Sequence, residues 1–375
     1  MKPVYLDYNA STPIDPTVAM AMRPYLEHTF GNPSSGHWAS TPAKAALESA
    51  RSKVAELLGC AADEVVFTSG GSEANNFALK GAFFALRHKG EHIITTQVEH
   101  PAILGPCRFL EQCGATVTYL PVDKTGRVDP DAVVRAITPR TILISVMHAN
   151  NEVGTIQPIA AIGRIAREHG ISFHTDAAQS IGKIPTRVHD LGVDLLSIAG
   201  HKIYGPKGVG ALYVRRGVAL EPLIHGAGHE NGRRAGTESA LLAVGLGAAC
   251  TLARDLKPTM RVGALRDRLW QALQQRCGDR VVLNGHPQYR LPNTLNVSFV
   301  GQVGTDILER LEDVAASTGS ACHSGSIELS PVLKAMGVLP QIGMGAVRFS
   351  LGRYTTEAEI DAVIDRLARV VHAPA

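Results

Sequence analysis

From residue 65 to residue 214 the chain repeats one pattern: a short apolar or β-branched run, then a stretch with helical periodicity. Strands are expected at 65–68, 92–96, 116–121, 141–147, 172–175, 195–198 and 210–214, and helices at 73–87, 103–112, 130–136 and 159–169. Apolar strands separated by helices form crossover units, which assemble a mainly parallel sheet with helices on both faces. Ligands of such sheets bind beyond the carboxyl ends of the strands. Five of the expected strand ends carry polar candidates there: Ser69, His100, Asn150 with Asn151, Asp176 and Lys202.

The flanking sequence has a different character. Residues 3–14 read as a strand and turn, helices are expected at 16–26 and 42–58, and the Gly/Asn/Pro/Ser composition of 31–36 forbids regular structure. Long helices at 238–256 and 260–275 precede strands at 281–284, 293–300 and 346–351 and a closing helix at 357–371. A length of 375 residues favours more than one domain. The expected division is a large α/β domain at 15–256 and a smaller α+β domain made of 1–14 and 257–375. A net charge of +3 without blocks of like charge speaks against a nucleic-acid partner or a membrane surface. The apolar runs are too short to cross a bilayer and residues 1–12 lack a signal-peptide core, so a cytoplasmic protein is expected.

Chemistry centres first on residues 174–207. Asp176 ends one strand, and Lys202, 26 positions later, ends another inside Gly-His-Lys, with Gly205-Pro206 following. An aldehyde cofactor held on Lys202, with Asp176 charging its ring nitrogen, would account for both; a strand-end acid and a turn with an exposed lysine would also do so. The run TSGGSEANN at 68–76 follows a strand and opens a helix, as a phosphate cradle or as a turn capped by Ser72. It has neither Walker nor dinucleotide spacing. His100 reads as an acid–base group, a stacking face or polar surface. Arg348 interrupts an apolar strand and suits carboxylate capture, or faces outward from an edge. Arg353 reads as a solvated loop end. The fifteen histidines and six cysteines show no metal-ligand spacing, so no metal is expected. Five cysteines read as buried or inert, whereas Cys322 lies in ASTGSACHSGS, where a thiol would be accessible.

In order along the chain, GNPSS, TSGGSEANN, VEHPAI, MHANNEVGTIQP, HTDAAQ, GHKIYGPKG, GHENGRRAGTE, RLPNTLNV and STGSACHSG resemble the motifs of the cysteine desulfurases, within the class-V aminotransferases. The resemblance runs from YLDYNASTP to RFSLGRYTTEAEID, and the Cys322 context is similar to the NifS-type group, whose nucleophilic cysteine rides on a long loop. It implies a PLP-dependent transferase (aspartate aminotransferase-like) fold and pyridoxal 5'-phosphate as cofactor. It further implies that Lys202 holds the cofactor, Asp176 meets its pyridine nitrogen, Gln179 its ring hydroxyl and His100 its ring face. Gly71, Ser72 and His201 would bind the phosphate, with Thr237 supplied by the partner subunit of a homodimer. Arg348, aided by Asn32, would hold the substrate carboxylate, Asn151 would contact cofactor and substrate, and Cys322 would take sulfur from L-cysteine. The acceptor implied is a protein, with an iron–sulfur scaffold among the candidates.

Ala199 departs from the pattern, since many relatives have a phosphate-binding serine there. Ala199 and the triplet Cys322-His323-Ser324 also resemble selenocysteine lyases, which stand as the alternative together with a class-V transaminase. A non-catalytic relative would have little reason to keep Lys202, Asp176, His100, Arg348 and Cys322 together.

Overall fold

The computed structural model describes residues 3–318, 322–323 and 326–372. After β1 (Val4–Tyr5), seven strands build the central sheet: β2 (Val65–Thr68), β3 (His92–Thr96), β4 (Thr116–Leu120), β5 (Thr141–Ser145), β6 (Ser172–Asp176), β7 (Leu195–Ala199) and β8 (Gly210–Val214). Their spatial order is β2-β8-β7-β6-β5-β3-β4. β8 is antiparallel to both neighbours and every other pair is parallel.

Successive side chains on a strand point to opposite faces, and here each face has its own cover. Ile94, Ile144 and Leu196 pack with Leu47, Val54, Ile162 and Leu246, from helices Thr41–Leu58, Ile159–Glu168 and Ala240–Ala253. Ile93, Leu143 and Leu195 pack with Phe77, Phe83, Ile103 and Leu110, from helices Gly71–Leu86 and Pro101–Gln112. Full burial of each such side chain contributes roughly 1.5–3 kcal/mol, which explains why these strands are apolar on both faces rather than alternating.

A second sheet is built from β9 (Val281–Asn284), β10 (Thr294–Phe299) and β14 (Ala346–Ser350), antiparallel in the order β14-β10-β9. β1 lies parallel to β11 (Val314–Ala315), and β12 (Cys322–His323) pairs antiparallel with β13 (Ser326–Ile327). Val297, Val347 and Phe349 form a separate core with Leu265 and Leu269 of helix Lys257–Cys277 and Ile360 and Leu367 of helix Glu357–His372. Val4 and Leu6 join that core, so the first residues of the chain pack with the last hundred. The expected elements are observed within a few residues of their expected bounds, β5 for example ending at Ser145 rather than at 147, whereas β11, β12, β13 and the short helices Val188–Leu191, Gly304–Glu309, Pro331–Ala335 and Pro340–Gly343 were not expected. Among the described residues no helix is long and apolar enough to cross a membrane.

Candidate active site

The carboxyl ends of β2, β3, β5, β6 and β7 open into one cleft of about 660 Å³, lined also by Asn9–Ser11 and Arg348. Lys202 closes the single 3-10 turn Gly200–Lys202 that follows β7. Its Nζ donates to the carbonyls of Asn9 (2.6 Å) and Ala10 (2.8 Å). Burial and the nearby Arg348 guanidinium draw the Lys202 pKa down to about 8, against the pull of Asp176 and Asp7. The turn is held by an uncommon backbone: Tyr204 has φ +67°, its N–H donates to Thr12 Oγ1 and its hydroxyl accepts from Arg353 N–H.

Asp176, the last residue of β6, is buried at the floor. One carboxylate oxygen accepts from Asn75 Nδ2 (2.7 Å) and the other from Ala178 N–H (2.9 Å). Asn75 comes from the first turns of helix Gly71–Leu86. No side chain caps the start of that helix, and its first backbone bond runs from Ala74 N–H to Gly70 O. The earlier N–H groups, those of Gly71 and Ser72 included, therefore stand at the cleft with the positive end of the helix dipole behind them. Gly70 turns the chain at φ +153°, where a side chain is strained, and a Cβ on Gly71 would lie 3.2 Å from the Ala199 methyl. His201 lines the same end, with Nδ1 3.3 Å from Ser11 Oγ. Burial, with Lys202 and Lys207 nearby, lowers its pKa to about 4.

His100 caps helix Pro101–Gln112, its Nδ1 accepting from Ala102 N–H. The residue is open to the cleft, yet protein crowds the ring, and this desolvation lowers its pKa despite the opposing pull of Asp176. Beside it Glu99 is buried and accepts from Met147 N–H and Thr96 Oγ1; burial pushes its pKa up to about 8. Arg348 is on the β14 face opposite to Val347 and Phe349 and is buried, not turned outward. Its guanidinium donates to Asp7 Oδ1 (2.7 Å) and to Asn151 O (3.0 Å), and its buried Nε has no partner. Gln179 lies against the same wall.

Nine of the twelve residues expected at the site line this one cleft: Lys202, Asp176, Gln179, His100, Gly71, Ser72, Asn151, His201 and Arg348. Asn32 does not; its Oδ1 accepts from Ser34 N–H in an exposed turn. Thr237 lines an adjoining hollow with Ser69 and Gly208. Cys322 is described only by its backbone in β12, and its side chain lies outside the described residues. Asn150 is internal, bonding to Val98 O and to Glu152 and Val153 N–H. Cys113, expected to be buried or inert, is exposed. Sequence reasoning missed Asn9, Asn75, Asp7, Glu99 and Lys183. Asn75 and Glu99 stood inside singled-out motifs, but their partners are Asp176 and Met147, 101 and 48 residues away.

The chemistry of this donor set fits pyridoxal phosphate: an amine of lowered pKa, a buried carboxylate for a protonated ring nitrogen, and an uncapped helix start for a phosphate. The Aminotransferase class-V family model matches residues 4–363. "Cysteine desulfurase IscS" of Dictyoglomus turgidum is 51% identical over 98% of this chain and 94% of its own length. A solved structure titled "NIFS-LIKE PROTEIN" superposes with a TM-score of 0.92 at 37% identity, covering 98% of this chain and 99% of that one. Another, "SspA in complex with cysteine", gives 0.84 at 39% identity, covering 95% and 100%. The chain belongs to the class-V aminotransferase family and, within it, to the cysteine desulfurases, enzymes that work with pyridoxal phosphate.

Proposed function

We propose that this protein converts L-cysteine to L-alanine and carries the released sulfur as a persulfide on Cys322 before an acceptor protein takes it. The observation that carries this reading is the meeting, in one cleft, of the Lys202 amine, the Asp176 carboxylate and the Arg348 guanidinium. Lys202 and the helix start at Gly71 and Ser72 would hold the cofactor at its two ends, Asp176 would accept from its protonated ring nitrogen and His100 would meet a ring face. Bound pyridoxal phosphate supplies an electron sink for the substrate α-carbon. Arg348, whose side chain lines the cleft, receives the substrate carboxylate through its planar guanidinium. The Lys202 amine, partly neutral near neutral pH, takes the α-proton. The Cys322 thiolate attacks the substrate sulfur. The Cβ–S bond breaks with its electron pair left on carbon, which takes a proton, and the new S–S bond stays on the enzyme.

The segment bearing Cys322 is tethered at both ends to this cleft. Ser317 and Arg348 exchange backbone hydrogen bonds, and the Ser330 hydroxyl donates to Glu152, next to Asn151. That arrangement supports Cys322 as the sulfur carrier. We further propose a cytoplasmic homodimer, with Thr237 reaching the partner's site. Its covered surface would include Met20, Leu26, Phe30 and Trp38, apolar side chains that are largely exposed in the single chain. An iron–sulfur scaffold is one chemically suitable acceptor.

Incubation with cysteine should yield alanine without any added keto acid, which separates desulfuration from transamination. Selenocysteine turnover measured alongside separates the lyase alternative, which Ala199 at the cleft wall keeps open. A much higher kcat/KM on selenocysteine would replace this reading. Arg348→Lys keeps a charge but loses the planar fork. The KM for cysteine should rise roughly 10- to 100-fold with a smaller change in kcat. Unchanged KM would remove Arg348 from the carboxylate site.

A further inference from the structure

We propose that Lys183 is a positioning residue for the cofactor site: it holds the Gln179 side-chain amide in the orientation that presents an N–H, not a carbonyl, to the cleft. The inference rests on the reading above that Gln179 meets the cofactor's ring hydroxyl. Lys183 Nζ donates to Gln179 Oε1 at 2.9 Å and reaches Asn9 Oδ1 at 3.5 Å. At its other end the same amide donates from Nε2 to Asn9 O at 2.9 Å.

An amide is nearly symmetric in shape, so its orientation is set by the groups around it. Turned over, Gln179 would set its NH2 against the Lys183 amine and its oxygen against the Asn9 carbonyl. Both contacts are unfavourable, and Gln179 is 5% exposed, leaving little water to relieve them. In the observed orientation Nε2 spends one N–H on Asn9 O and keeps a second for the cleft that Gln179 lines. Asn9 is itself fixed: Nδ2 donates to Thr294 Oγ1, and Oδ1 accepts from Asn293 Nδ2. The carbonyl of Asn9 also accepts from Lys202 Nζ. Lys183, Gln179, Asn9 and Lys202 thus form one connected set.

Packing does not account for a lysine here. Lys183 is partly accessible as a residue, because it borders a small, mainly apolar cavity with Tyr8, Tyr204, Leu252 and Val262. Its ammonium is enclosed, and the charges bearing on it, Lys202 and Arg348, are both positive; burial and these charges lower its pKa to about 7. A methionine of similar length would fill the space without that desolvation. The cavity also leaves room for an arginine, which could still donate to Gln179.

The test is a double-mutant cycle between positions 183 and 179 in the full chain. It is read as the dissociation constant of pyridoxal phosphate for the apo-protein and as the pH midpoint of the bound cofactor's visible band. Lys183→Met should weaken cofactor binding about 10-fold and move the midpoint, and in a Gln179→Ala background it should change binding less than about 2-fold. Lys183→Arg should stay within about 3-fold of the parent. The melting temperature of Lys183→Met should not fall, which separates positioning from folding. Equal losses in both backgrounds, or no loss in the parent, would overturn the proposal. Failure of the parent apo-protein to take up pyridoxal phosphate would overturn the cofactor site itself, and this inference with it.

Discussion

Lys202→Ala should leave a folded protein that no longer links pyridoxal phosphate covalently and has lost cysteine turnover by about 10³-fold or more. The side chain has two tasks in the proposed reaction, holding the cofactor and moving the α-proton, and no neighbour can take over either. Lys183 is held by Gln179 and Asn9, and Lys207 lines the cleft beside Gly208. The helix start and Asp176 remain in the variant, so weak noncovalent binding of the cofactor is expected. Borohydride treatment should therefore fix no cofactor on the protein. A reducible linkage retained by the variant would refute the assignment. The parent offers a second check through pH. Capture of an aldehyde needs the neutral amine, and the Lys202 pKa is drawn down to about 8. Cofactor uptake by the apo-protein should accelerate as pH rises to about 8 and then level off, whereas an ordinary lysine would keep gaining until above about pH 10. Continued acceleration through that range would show that the site does not lower the amine's pKa.

Cys322→Ser should separate the first half of the reaction from the second. The anchors proposed for cofactor and substrate are Lys202, Asp176, the Gly71–Ser72 helix start and Arg348, none of which the substitution touches. Cofactor affinity should stay within about twofold, and cysteine should still perturb the visible band. Alanine formation should fall by about 10³-fold, because a serine hydroxyl is neither ionised near neutral pH nor an effective nucleophile toward sulfur. The other cysteines offer no substitute: burial pushes the Cys60 and Cys107 thiols up to about 12 and raises those of Cys250 and Cys277. Cys113 is exposed but ends helix Pro101–Gln112, away from the cleft lining. Parental rates of alanine formation by Cys322→Ser would mean that another group receives the sulfur.

Much of this site was legible because its residues follow strands with an unambiguous apolar pattern. Once the parallel sheet is expected, residues just beyond β2, β3, β5, β6 and β7 must share one edge, and Lys202 and Asp176 meet for that reason. Asn150 and Asn151 show where such reasoning stops, since neighbours at a chain reversal face opposite ways and just one of them lines the cleft. Arg348 alternates with Val347 and Phe349, so its sheet face was readable. That this face meets the strand ends of the central sheet, and that Asp7 grips it, depends on packing between segments 341 positions apart. Asn9, whose carbonyl gathers Lys202 and Gln179, carries no local signal at all: it serves through its backbone.

The most direct test is one measurement on the loaded enzyme: a limited pulse of cysteine without reductant, followed by mass spectrometry of the peptide containing Cys322 and quantification of alanine. One added sulfur atom on Cys322, removable by thiols, is expected for each alanine released in the first turnover. Alanine released with Cys322 unmodified, or sulfur found on another cysteine, would contradict it.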